Sequence, residues 1–342
     1  MKRGPDESYA WKSAVLPFQV PDLLRGSWQI TNSVGSYTLT WAAMYLVRYQ
    51  SIWITLVLAV LAAGFQVRVF ILFHDCGHSS FFASKRANDI LGFITGVLTF
   101  TPYQHWRWEH SQHHATSGNL NKRGIGDIKT MTVKEYLEAS RFKRIGYRLL
   151  RNPLLLLLII PTVLFLVKQR FPSSEAAKRE RRSVHWTNLG ILAMMTGLIW
   201  IFGLQRYVFI QLVITAAGGA AGVWLFYVQH QFEGVSWERN EQWDYTKAAL
   251  DGSSFYRLPK LLQWFSGNIG FHHIHHLSPR IPNYNLEACH RANPCFEHVH
   301  QLTLWSSLRS LNLRLWDEEK RQLVSFRNIG SPEKHKSSNS SV

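Results

Sequence analysis

The chain has 342 residues, a formal net charge of +16 and 46% hydrophobic residues. Its apolar residues gather into long runs instead of recurring periodically, which describes a membrane protein with a large water-facing part and excludes an ordinary soluble domain. The positive charge suits anionic headgroups or acidic proteins, and no nucleic-acid motif accompanies it, so no nucleic-acid partner is expected.

In chain order, Met1 to Trp28 holds no apolar core of a cleaved leader, and residues 1–30 read as a cytosolic N-terminal segment. Four segments then have the ~20-residue length of a membrane span: 31–47, 52–73, 187–204 and 207–229. The first, opening on Thr31, Asn32 and Ser33, is the least apolar. Two shorter runs, 90–101 and 153–167, lie between them. Residues 31–330 make one membrane domain, and the Ser/Lys/Asn-rich stretch 331–342 reads as a disordered tail. Cys76, Cys289 and Cys295 form no C-x-x-C pair and imply no disulfide framework.

Three histidine clusters follow or precede these runs: His74-Asp-Cys-Gly-His78, His110-Ser-Gln-His113-His114 and His272-His-Ile-His275-His276. Residues three and four apart share a helix face, so each cluster can aim two or three imidazoles at one point. Eight convergent nitrogens exceed the ~4–6 ligands of one ion and fit two metals. His230, which closes the fourth apolar run, adds a ninth candidate ligand; His273 points off its own cluster's face and reads as an outer partner. Imidazole suits iron, copper, nickel or zinc alike. There is no H-E-x-x-H, and the two E-x-x-H spacings, Glu287–His290 and Glu297–His300, stand too close together to face each other across a carboxylate-bridged bundle. Metal-bound imidazoles need partners on their other nitrogen; Asp75, Glu109, Asp127, Glu233, Glu238, Asp244 and Asn268 are the nearby candidates.

A shared site puts all the clusters on one side of the membrane. The short runs 90–101 and 153–167 must then dip and return, or lie in the interface. The basic linker with Lys168, Arg170, Lys178, Arg179, Arg181 and Arg182 favours the cytoplasm for that side. The expected fold is an all-α integral membrane protein: about four full transmembrane helices, six if both short runs cross, plus re-entrant or interfacial helices, capped by a cytosolic helical di-metal domain. It sits in the cell (cytoplasmic) membrane with both termini cytoplasmic. Arg68, near the end of the second span, is expected to snorkel to the headgroups.

The clusters are similar to the three histidine boxes of the membrane fatty acid desaturase family. The resemblance extends to the Ser-Ser-Phe-Phe after His78, to His-His-Ala-Thr-Ser-Gly-Asn-Leu with Arg123-Gly-Ile-Gly-Asp127, to the stretch from Gly252 to Trp264, and to Gly267 through Tyr284. It runs from about residue 50 to 325 and looks closest to bacterial acyl-lipid desaturases of the delta-5 and delta-12 type. It implies two non-haem iron ions, O2 as co-substrate and a membrane phospholipid acyl chain as substrate. The family's ligands fall on His74, His78, His110, His113, His114, His230, His272, His275 and His276. Where the animal acyl-CoA branch has an asparagine four residues before the last-span histidine, this chain has Phe226; Asn268 is the nearest replacement. That departure favours a lipid-linked substrate.

An acyl chain would need a closed apolar tunnel beside the metals, with Trp106, Trp108, Phe255, Tyr256, Trp264 and Phe265 as candidate walls. No G-x-G-x-x-G or fused haem module is visible, so electrons should come from an external ferredoxin or flavodoxin. Lys122, Arg123, Lys129, Arg141, Lys143 and Arg144 are candidates to dock it. A di-iron hydroxylase or carotenoid oxygenase, or a zinc-dependent membrane hydrolase, are the alternatives that ligand chemistry leaves open.

Overall fold

The computed structural model describes residues 11–329. Among them, three helices are long and apolar enough to cross a membrane: Ile52–His78, Lys178–Phe202 and Leu204–His230. At 1.5 Å per residue each exceeds the ~30 Å hydrocarbon thickness.

The helices that carry the argument are α1 (Leu23–Ile30), α2 (Ser36–Leu46), α3 (Ile52–His78), α4 (Lys85–Leu98), α5 (Tyr103–Thr116), α6 (Arg141–Leu150), α7 (Ile160–Leu166), α8 (Lys178–Phe202), α9 (Leu204–His230), α10 (Tyr245–Leu250), α11 (Lys260–Phe265), α12 (His272–Leu277) and α13 (Asn283–Ala292). The segment expected to be the first span is helical: α1, a π turn at Thr31–Gly35 and α2 follow one another with helical backbone at both junctions, so the irregularity is a π bulge within the run. The polar Thr31-Asn32-Ser33 sits in that turn, where Ser33 is buried. Trp41 of α2 packs edge-on against Phe202 and stacks on Tyr207, with ring centroids 5.5 and 6.2 Å away.

Both short apolar runs dip and return. The 14 residues of α4 measure about 21 Å, too short to cross. The helix ends where the Leu98 carbonyl accepts the Gln66 side-chain amide of α3 at 3.3 Å. A turn closed by Thr101 N–H on the Gly96 carbonyl reverses the chain, and Tyr103 then donates to the Cys76 carbonyl at 2.6 Å. The second dip leaves α6 through a 65° bend into 155–170. At its start, Arg151 bonds Gln231, next to His230, at 2.9 Å; at its return, Ser173 N–H donates to His105 at 3.1 Å. Both ends of this dip therefore lie at the histidine end of the bundle. At its floor Pro161 fills the space beside Gly219 of α9.

Arg68 does not snorkel. It is buried, and its guanidinium is shared between Asn32 Oδ1, the Trp264 carbonyl and the Trp264 ring face, 3.9 Å from the centroid. Neutral oxygens and a π face satisfy the charge locally, so it has no need of the headgroups. The cap beyond α9 also contains strands too short for a sequence pattern. Met131–Thr132 pairs parallel with Leu315–Asp317, which pairs antiparallel with Gln322–Val324; Phe255–Tyr256 pairs parallel with Gln301–Leu302. The N-terminal region packs onto this cap: Gln19 bonds Ser278, and Arg25 bonds Asn285. No disulfide links Cys76, Cys289 or Cys295 among the described residues. Residues 331–342 and His335 lie outside the described residues.

Candidate metal centre

Helix ends deliver the imidazoles. His74 and His78 occupy the last turns of α3, which stops at Ser79 in the left-handed conformation. His110, His113 and His114 lie on the second half of α5, His230 is the last residue of α9, and α12 carries the third cluster. Gly77 has a local reason: a Cβ there would lie 2.9 Å from the ring of Trp106, which stacks on His110 at 4.2 Å. The glycine lets this indole close over the site.

The nine imidazoles gather, but not cluster by cluster. His74, His78, His110, His114 and His275 form one group, and His113, His230, His272 and His276 form another; within each group the candidate ligand atoms lie within 4.8 Å of one another. The i,i+4 pairs 74/78, 110/114 and 272/276 stay together, while His113 and His275 cross to the other group. Facing nitrogens approach closely. His110 Nε2 is 3.1 Å from both His74 Nε2 and His114 Nε2, and His275 Nε2 is 3.1 Å from His114 Nε2. In the second group His230 Nε2 is 3.2 Å from His113 Nε2 and 2.9 Å from His272 Nε2.

Nitrogens bound at ~2.1 Å to one octahedral ion stand about 3 Å apart along an edge, so these spacings suit shared coordination. The buried Nε2 atoms of His78 and His276 have no hydrogen-bond partner, as an ion's ligands would not. Burial, with the charge of neighbouring histidines added, holds His110, His114, His272, His275 and His276 well below the usual imidazole range. Neutral rings are the ligating form. The residues present therefore fit two transition-metal ions with nitrogen ligands.

Three groups address the far nitrogens. Asp75 Oδ1 is 3.1 Å from His74 Nδ1, and Asp127 Oδ1 is 2.5 Å from His113 Nδ1. The Gly252 carbonyl lies 3.3 Å from His230 Nδ1. A Cβ at 252 would meet the Ala248 carbonyl at 2.4 Å, so this close passage needs glycine. The other carboxylate candidates have different partners. Glu109 pairs with His105, Glu233 with Arg309, and Glu238 with Lys247 and Arg321, while Asp244 caps α10. Asn268 bonds Gln263 and the Asn283 carbonyl. His273 bonds none of the nine; its ring lies among Phe255, His290 and Phe296. The Gly252 carbonyl was invisible beforehand because backbone atoms leave no residue-type signal. Asn283, which bonds Asp75 twice, carried only a place in the motif.

Phe226 occupies the position of the missing asparagine, with its ring 5.0 Å from His113 and 5.1 Å from His230. It borders a cavity of ≈ 20 Å³ that also touches Asp127 and Trp237. That is room for a water-sized molecule and not for an acyl chain. Of the expected tunnel walls, Trp106 reaches the nine candidate ligands, whereas Trp108 lies by His105, Phe255 stacks on Phe271, Tyr256 bonds Trp224, and Trp264 and Phe265 pack on Phe65.

Residues 51–307 match the family described as fatty acid desaturase. The chain is 48% identical over 331 residues to a fatty acid desaturase of Bacillus subtilis, with 94% of each chain covered. It is 28% identical to an sn-1 acyl-lipid omega-3 desaturase (ferredoxin) of Nostoc, covering 70% of this chain and 68% of the other. It is 24% identical to an sn-1 oleoyl-lipid 12-desaturase of Synechocystis, covering 65% and 63%.

Proposed function

Because this chain belongs to the fatty acid desaturase family, we propose that it places a cis double bond in the acyl chain of a membrane phospholipid, with His74, His78, His110, His114 and His275 holding one iron and His113, His230, His272 and His276 the other. The observation that carries this reading is the pair of adjacent all-imidazole groups. The reaction balances as –CH2–CH2– plus O2, two electrons and two protons giving –CH=CH– and two waters. Two irons, when bound, supply the redox chemistry that lets O2 take hydrogens from an unactivated methylene pair.

The chain's own residues do the rest. Asp75, Asp127 and the Gly252 carbonyl fix ring orientation, each by accepting the proton on Nδ1 of its histidine. Burial favours the neutral, ligating form of His110, His114, His272, His275 and His276. Phe226 stands where a substrate chain would approach His113 and His230, so admitting one requires that ring and its neighbours to move.

The basic linker 168–182 and the two returning dips support a cytoplasmic position for the metal end, in the cell membrane. Electrons would come from a ferredoxin or flavodoxin. Lys122 and Lys129 are exposed on the loop that carries Asp127, which makes this loop the better docking surface. On α6, by contrast, Arg141, Lys143 and Arg148 flank the exposed Phe142, Ile145 and Leu149, a combination that suits an anionic lipid surface. Expression in a host without desaturases, with mass-spectrometric location of double bonds, tests the function. New cis-unsaturated phospholipids, lost in His113→Ala, are expected. Hydroxylated lipids or an unchanged lipid profile would refute it.

A further inference from the structure

The densest hydrogen bonding behind the imidazoles converges on Asn283, which belongs to no histidine cluster. It opens α13 and is 1% exposed. Its backbone N–H and its Nδ2 both donate to Asp75 Oδ2, at 2.6 and 2.8 Å. The other oxygen of Asp75 faces His74 Nδ1. Behind Asn283, Gln29 of α1 exchanges amide hydrogen bonds with it at 2.7 and 3.2 Å, and Asn268 holds its carbonyl at 3.1 Å. Gln29 and Asp75 are buried as well.

We propose that Asn283 is a positioning residue for the first iron: through Asp75 it fixes the ring of His74, with α1 as the outer support through Gln29. The inference rests on the reading of His74 as a ligand. A carboxylate offers about four lone-pair sites, and one donor leaves it free to swing. Two donors on Oδ2 pin Asp75, so Oδ1 points at His74 Nδ1, and Nε2 is left to face the group. Truncating Asn283 leaves the backbone donor and keeps the carboxylate, but removes half of the clamp. Asn283→Asp would instead set a second acidic side chain against Asp75 Oδ2. The neighbours bind the same N-terminal region: Tyr284 accepts from Asp22 N–H, and Asn285 bonds Arg25 and the Phe18 carbonyl.

The test uses the full-length enzyme in detergent, loaded with 57Fe, with Mössbauer spectra and the rate of iron release to a chelator as readouts. His74→Ala should lose one of two iron environments. Asn283→Ala should shift the spectrum of that same environment and release its iron about 10–100-fold faster, with the second environment unchanged. A wild-type spectrum and release rate in Asn283→Ala, beside a defective His74→Ala, would overturn the relay. Equal loss of both environments would also overturn it, since that is what general loosening of the fold produces. Both irons retained in His74→Ala would remove the ligand assignment and the relay with it. If Asn283→Ala does not accumulate, Gln29→Ala should give the same one-sided shift at smaller size, and an unchanged spectrum there would overturn the proposal.

Discussion

The two imidazole groups differ in how they are enclosed. The first, around His74 and His275, draws both residues of the α3 pair and the 110/114 pair of α5. It is closed by the Trp106 indole and backed by the buried Asp75–Asn283–Gln29 chain. The second, around His113 and His230, takes a residue from the end of α9. It borders the small cavity at Phe226 and is oriented by Asp127, on a half-buried loop, and by a backbone carbonyl. The first group is held by helix ends but leaves His78 only half-buried, whereas all four rings of the second are buried beside a loop and a small cavity.

The largest effects should come from the rings themselves. His78→Ala and His113→Ala should each reduce desaturation by at least about 100-fold, above the ~10–100-fold typical of outer partners. Each should lose a different iron environment while still inserting into the membrane. Loss of the same environment in both would merge the groups and end the comparison. Asp127→Asn comes next. It should loosen the second iron about 10–100-fold and leave the first in place, measured as chelator release.

Acidification should act on both groups. His110, His114, His272, His275 and His276 are held below their usual range, so the metal-stripped folded protein refuses protons that the unfolded chain binds near pH ~6.5. Stability should fall as pH drops through that value and stay level from pH 7 to 8. Thermal unfolding against pH checks this; a stability loss on the alkaline side alone would contradict it. The smallest effect is expected from Phe226→Ala. It enlarges the space beside the second group, so both irons should remain while the chain-length or double-bond profile of the lipids shifts. An unchanged profile would place the substrate path elsewhere.

Much of this was readable beforehand, for identifiable reasons. Helical spacing made the i,i+4 pairs convergent, and that logic survives in every group. It could not assign His113 and His275, because their destination depends on how α5, α9 and α12 pack. Parity anticipated both returning dips, which the Gln66–Leu98 and Ser173–His105 bonds display. Hydropathy merged the π turn at Thr31–Gly35 with α2, since apolar content does not report helix type. Arg68 read as snorkelling because its partners, Asn32 and the Trp264 carbonyl, are distant in sequence and neutral. Strands of two or three residues fall below any periodicity window.

The central claim is that two unlike irons sit side by side, one per imidazole group. Mössbauer spectroscopy of the purified, 57Fe-loaded enzyme tests it most directly. The account predicts two environments of equal area, with one removed by His113→Ala and the other by His78→Ala. A single environment at one iron per chain, or a site filled by zinc with no loss of desaturation, would contradict it.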